Sequence, residues 1–199
     1  MKKILIATTN PGKLLEYREI LKELSLEIVT LKDLNNQTEV KEDGKTFKEN
    51  AIKKVKFYSK LTEFPTIAED SGLEIDYLNG EPGVKSKRWP GYEASEKELI
   101  NLTLKKLQGV PLEKRGAQLR VVIALSINKE IKLFEGVIRG VIIEKPIKKI
   151  IPGYPFRTLF YIPEIKKVLG ELTMEEETKI AHRKKALEKA LPIIKKYLC

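Results

Sequence analysis

The chain has 199 residues, enough for one domain with a full buried core. A hydrophobic share of 42% and a charged share of 33%, with both signs interleaved, exclude a disordered chain, and no run nears the roughly 20 apolar residues that cross a bilayer. The formal charge of +10 favours anions without choosing among nucleic acid, acidic membrane and phosphorylated small molecules, while the lone cysteine, Cys199, excludes a disulfide framework and a thiolate metal site.

Met1-Lys2-Lys3 runs directly into Ile4-Leu5-Ile6-Ala7, too short an apolar run for a signal peptide and read as the buried first strand of a cytoplasmic protein. Lys3–Thr8 forms that strand; Asn10 caps a helix with Pro11 in its first position and Leu14, Leu15, Ile20, Leu21 and Leu24 on its apolar face. A second strand covers Leu26–Leu31. After the polar stretch Asn35–Lys45, Thr46 and Glu49 make a capping box that opens a helix to about Leu61. Thr66–Ala68 and Leu73–Tyr77 are predicted as short strands around an acidic turn, Gly80–Gly83 as a loop, and Ser95 with Glu98 as the start of a helix ending before Gly109. Arg120–Ile127 and Ile131–Ile143 are β-branched runs separated by Asn128-Lys129-Glu130, the strongest hairpin signal in the chain. Thr173 and Glu176 open a last helix that continues through Ala186, Leu187, Ala190 and Leu191 to the C-terminus. This order predicts an α/β fold, a mixed sheet flanked by helices, and a single domain of two lobes around a cleft.

The chemistry is expected at Ala68-Glu69-Asp70-Ser71-Gly72-Leu73, where two adjacent carboxylates precede a Ser-Gly pair. Neighbours in a regular strand point to opposite faces, so a bend at Ser71-Gly72 is needed for both acids to reach one metal ion or one water. Read by itself, the string also fits a strand ending in a solvated turn. Thr8-Thr9-Asn10-Pro11-Gly12-Lys13 lies between a strand and a helix, where backbone N–H groups and the helix dipole favour a phosphate and Lys13 adds a point charge. Glu49 is explained by helix capping, yet it shares its helix with Lys53 and Lys54. A few carboxylates and a substrate phosphate suffice for Mg²⁺.

Thr8-x-Asn10-x-x-Lys13, Phe47-Lys48-Glu49-Asn50-Ala51, Ala68 to Asp76, Gly80-x-Pro82-Gly83-Val84-x-Ser86-x-Arg88 and His182-Arg183, in this order, resemble the HAM1-like inosine and xanthosine triphosphate pyrophosphatases from Lys3 to about Leu191. The resemblance implies an elongated fold with a deep cleft, a homodimer, dependence on Mg²⁺, and hydrolysis of ITP, dITP and XTP to monophosphate and pyrophosphate. By the same resemblance Asp70 is the catalytic acid, and Glu49, Glu69 and Asp70 hold the metal. Thr8, Asn10, Lys13 and Lys54 grip the triphosphate, Ser71 and Gly72 offer backbone donors, and His182 and Arg183 lie at the base and sugar end.

One segment departs from the family pattern. Where the family has aromatic-Gly-aromatic-Asp-Pro, this chain has Gly153-Tyr154-Pro155-Phe156-Arg157-Thr158, so that Tyr154 or Phe156 is left to stack on the base and the acid is missing. Glu177 replaces an expected lysine and Ala181 an expected serine. The alternative is therefore a nucleotide-binding relative with relaxed, altered or lost base specificity and little turnover. A nucleic-acid binder is motivated by charge alone, without a recognisable binding module.

Overall fold

A computed structural model describes residues 2–36, 38–148 and 150–198. The expectation attached to Cys199 falls outside them. Seven strands form one mixed sheet in the order β2-β1-β3-β4-β5-β6-β7. They are β1 (Lys2–Ile6), β2 (Leu26–Thr30), β3 (Thr66–Ile75), β4 (Gly116–Ile127), β5 (Glu130–Ile142), β6 (Phe160–Ile162) and β7 (Lys167–Val168). The helices are α1 (Pro11–Leu21), α2 (Phe47–Tyr58), α3 (Glu96–Lys106), α4 (Met174–Ile180) and α5 (His182–Leu198). β1 pairs in parallel with β2 and β3, as expected of strands joined through helices, and β6 pairs antiparallel with β5 and β7. None of these helices is long and apolar enough to cross a membrane.

The local signals explain most boundaries. The Asn10 side chain accepts from the N–H groups of Gly12 and Lys13 at 2.9 and 3.2 Å, starting α1 where Pro11 suits the first turn. Ser95 with Glu98 and Thr173 with Glu176 form complete reciprocal caps. Thr46 accepts from the Glu49 N–H, but the Glu49 carboxylate takes the Lys45 N–H at 2.7 Å, so that box is only half closed. Asn128 and Lys129 both have positive φ, the two-residue turn that joins β4 and β5 with the correct twist.

Two predictions are corrected. The last helix is interrupted at Ala181, giving α4 and α5. The interruption lies beside a close approach, since a Cβ on Gly136 of β5 would sit 1.9 Å from the His182 carbonyl oxygen; only glycine lets the start of α5 lie there. And Thr66–Ile75 is one continuous strand, with no turn at Ser71-Gly72.

The chain divides into two compact units. The first comprises the described residues of Met1–Ser71, Val121–Val137 and Ala181–Cys199, with a core in which Ile4, Ile6, Ile67 and Ile123 from the strands meet Ala186, Leu187 and Ile194 of α5. The second comprises Gly72–Arg120 and Ile138–Ile180, with a core that includes Leu73, Leu99, Ile142, Phe156 and Phe160.

Candidate active site

Because β3 runs straight through the acidic pair, Glu69 and Asp70 face opposite sides, and each carboxylate acquires its own surroundings in the first unit. Asp70 is 6% exposed and faces α2. Its Oδ2 accepts from Asn50 Nδ2 at 2.8 Å, its Oδ1 from the Ser71 N–H at 3.0 Å, and Lys54 Nζ stands 3.7 Å from Oδ1. Lys54 Nζ also lies 2.5 Å from Glu42 Oε1. Burial pushes the Asp70 carboxyl above its ordinary value; the Lys54 ammonium opposes this and the Glu42 charge adds to it. For Lys54, burial acts downward, but Asp70 and Glu42 outweigh it and raise the ammonium above its usual range.

The loop before α2 is tied to this carboxylate by Asn50 as well as through Lys54. Asn50, fully buried, donates to Asp70 and accepts the Gly44 N–H at 2.8 Å. A Cβ on Gly44 would stand 2.6 Å from that amide oxygen, so the loop bearing Glu42 seats only because residue 44 has no side chain. Glu42 and Asn50 are the site residues that sequence reasoning missed as chemistry. Glu42 lies in the polar stretch Asn35–Lys45, which carries no motif of its own, and the signal for Asn50 is an amide directly beside the expected Glu49.

On the other face, Glu69 accepts from the Tyr17 hydroxyl at 2.7 Å, from Arg183 Nε and Nη2 at 2.6 and 2.8 Å, and pairs with Lys13 Nζ at 3.0 Å. Arg183, 1% exposed, reaches Glu16 with its remaining terminal nitrogen. Burial by itself would raise Glu69, yet the Arg183 and Lys13 charges and the hydrogen bonds from Arg183 and Tyr17 hold its carboxyl well below the usual range. The Tyr17 hydroxyl is pushed well above its ordinary value by burial and by the Glu69 charge.

These positions show where the expected site residues lie. Among the described residues no group of three or more acidic, histidine or cysteine side chains is gathered to hold a metal, so Glu49, Glu69 and Asp70 do not form one donor set. Strand alternation separates Glu69 from Asp70, Glu69 is engaged by Tyr17, Arg183, Lys13 and Ser71, and the exposed Glu49 serves the Lys45 N–H. Asp70 and Glu42 are two carboxylates that share Lys54, and their oxygens are of the kind a divalent cation takes. Arg183 is a buried partner of Glu69 and Glu16. His182 is buried at the start of α5. Thr8 Oγ1 accepts the Asn10 N–H at 3.2 Å, and with the Asn10 cap the β1–α1 turn spends its polar groups on its own shape. Ser71 and Gly72 lie within β3.

In the second unit, Phe156 is 7% exposed and belongs to the core. Tyr154 is partly exposed, and the Arg157 guanidinium lies 3.7 Å from its ring centroid. Arg157 Nη1 stands 2.7 and 2.8 Å from the two carboxylate oxygens of Glu177.

The model of the Ham1 family matches residues 4–193. The dITP/XTP pyrophosphatase of Thermoanaerobacter pseudethanolicus is 40% identical over 98% of both chains, and that of Bacillus subtilis 39% over 95% of both. Among solved structures, a HAM1 protein from Coxiella burnetii superposes with a TM-score of 0.86 at 33% identity, covering 98% of this chain and 100% of its own. The Staphylococcus aureus Ham1 protein gives 0.83 at 33% identity, with 98% of each chain covered.

Proposed function

The chain belongs to the Ham1 family, and from that membership and the Asp70 cluster we propose that it hydrolyses dITP, ITP and XTP to the nucleoside monophosphate and pyrophosphate. The observation that carries the reading is a buried carboxylate with a raised pKa, oriented by Asn50 and flanked by Lys54 and Glu42.

In this proposal Asp70 takes the proton of a water whose oxygen attacks the α-phosphorus, as the bond from that phosphorus to the bridging oxygen breaks and pyrophosphate departs. A carboxylate of raised basicity suits the task, and Asn50 keeps its Oδ2 fixed. Lys54, already drawn toward Asp70 and Glu42, holds the phosphates, and Lys13 exchanges Glu69 for a phosphate oxygen while Arg183 and Tyr17 keep Glu69 compensated. Asp70 and Glu42 would hold Mg²⁺, which supplies countercharge to the phosphates and lowers the pKa of water. The resemblance extends the proposal to a cytoplasmic homodimer, and sedimentation of the purified protein would check the dimer.

The test is pyrophosphate release from dITP, ITP, XTP, GTP and ATP, with Mg²⁺ and with chelator. Mg²⁺-dependent release that favours the first three is the expected result. Nucleotide that raises the melting temperature without any release would replace the proposal with the binding-only relative. For the metal, Glu42→Gln is expected to raise the Mg²⁺ concentration for half-maximal rate by about tenfold or more, as removal of one of two charged ligands requires; an unchanged requirement would remove Glu42 from the donor set.

A further inference from the structure

Residues 38–45, between β2 and α2, double back along the helix that follows them, and none of them is buried. Their groups meet α2 in reverse order. The Thr38 carbonyl accepts from the Tyr58 hydroxyl at 3.0 Å, Glu42 pairs with Lys54 and Asp43 with Lys53 at 2.5 Å, and the N–H groups of Gly44 and Lys45 donate to Asn50 and Glu49. A strap held by polar contacts without an apolar anchor belongs to the part of a fold that opens first, and its exposed ion pair at Asp43 adds little. The bond at Gly44 differs, because the accepting amide is buried and its other end is committed to Asp70. That bond begins a chain within the first unit: Gly44 N–H to Asn50 Oδ1 at 2.8 Å, Asn50 Nδ2 to Asp70 Oδ2 at 2.8 Å, and Ser71 N–H to Asp70 Oδ1 at 3.0 Å. An amide engaged at both ends does not turn, so one side chain fixes both the strap and the carboxylate.

We propose that Gly44 and Asn50 are positioning residues that make the strap and Asp70 respond together: with the strap seated, Glu42 stands at Lys54 and Asp70 keeps its orientation, and with the strap lifted both are lost in one step. For the reaction this rests on the roles given to Asp70 and Glu42 above. Separate control would look different, since lifting the strap would then withdraw Glu42 and leave Asp70 held by Asn50. Gly44→Ala distinguishes the two without altering a group that meets substrate. The backbone at Gly44 is not left-handed, so alanine acts there through its Cβ alone, which would stand 2.6 Å from Asn50 Oδ1 and 2.9 Å from Glu49 Cβ. It therefore unseats the strap and displaces the Asn50 amide, while the apolar side of α2 at Ala51 and Val55 is untouched.

The experiment follows amide hydrogen exchange by NMR in chelator, so that it reads the coupling whether or not the protein turns over a nucleotide. In Gly44→Ala, exchange is expected to quicken about 5- to 150-fold at residues 38–45 and also at the Ser71 amide, the range of one lost hydrogen bond to a buried partner, with the amides of β1 and α5 unchanged. Asn50→Leu, which fills the same space without either bond, is expected to do the same. In turnover, Gly44→Ala is expected to lower kcat for XTP by up to about 10²-fold, as a misplaced reacting group does. It is also expected to raise the Mg²⁺ requirement as Glu42→Gln does, and the two replacements together to raise it no further. Kd for inorganic tripolyphosphate in chelator, which calls on Lys13 and Lys54, is expected to stay within a few-fold. A quickened strap with an unchanged Ser71 amide, a wild-type kcat beside a quickened strap, or faster exchange in β1 and α5 with tripolyphosphate binding lost would each overturn the proposal. Absence of pyrophosphate release by the wild type, with the coupled exchange intact, would instead count against the hydrolytic reading alone.

Discussion

Asp70→Asn is expected to lower the turnover of dITP and XTP by about 10²- to 10⁴-fold, the usual contribution of a positioned general base, while the protein stays folded. The stability readout has a definite sign. The folded-state pKa of Asp70 is raised, chiefly by burial, so folding disfavours the ionised carboxylate. Its contribution to stability therefore falls as pH rises from the ordinary carboxylate value through the folded one, and above both the buried charge opposes folding. Asparagine carries no such charge. In chelator at neutral pH the variant is expected to melt at or above the wild-type temperature, with the difference shrinking as pH falls toward the ordinary carboxylate range. In the wild type, kcat/KM is expected to decline on the acid side as Asp70 takes up its proton. Turnover within a few-fold of wild type would remove Asp70 from the mechanism, and a large fall in melting temperature would make it a structural residue.

Arg183→Leu is expected to have the largest effect on stability. It leaves Glu16 and Glu69 buried together without the guanidinium that reaches both, a loss of about 3–5 kcal/mol for a broken buried ion pair. In a chain of this size that corresponds to a fall in melting temperature of roughly 6–20 °C. Arg183→Lys, which keeps the charge but not the fork, is expected to recover only part of it. The pH dependence runs opposite to that of Asp70. Glu69 has its folded pKa held well below the ordinary value, so its stabilisation is present above the unfolded carboxylate pKa and lost as pH falls through the folded value. Thermal melts from neutral to acid pH read both effects. A wild-type melting temperature in Arg183→Leu, with only KM raised, would return Arg183 to the base end of the substrate, where the resemblance had placed it.

The contrast between these two neighbours on one strand shows how the fold assigns chemistry. Glu69 and Asp70 differ by one methylene and one position, yet the first is an anchored anion among Lys13, Tyr17 and Arg183 and the second an underpaired carboxylate beside Lys54 and Glu42. Conserving a negative charge at both positions would not conserve both roles.

Much of this was legible in the residues themselves. The caps at Asn10, Ser95 and Thr173, the hairpin at Asn128-Lys129 and the α/β order rest on interactions between residues a few positions apart, and such interactions are written directly into the sequence. The ordered motifs carry the resemblance to the Ham1 family, and the family model matches residues 4–193. What the tertiary structure decided concerns residues distant along the chain. Whether Ser71-Gly72 bends depends on what covers each face of β3, and with Glu69 met by α1 and α5 and Asp70 by α2, no bend is required. The place of Glu42 depends on Gly44 lying flat against Asn50, and the pairing of Arg157 with Glu177 joins residues twenty positions apart. A single charge reads the same in a sequence whether it will be solvated, paired or left short of partners. Only packing determines how much water each carboxylate loses and which cation replaces it, and that balance separates Asp70 from Glu69 in this protein.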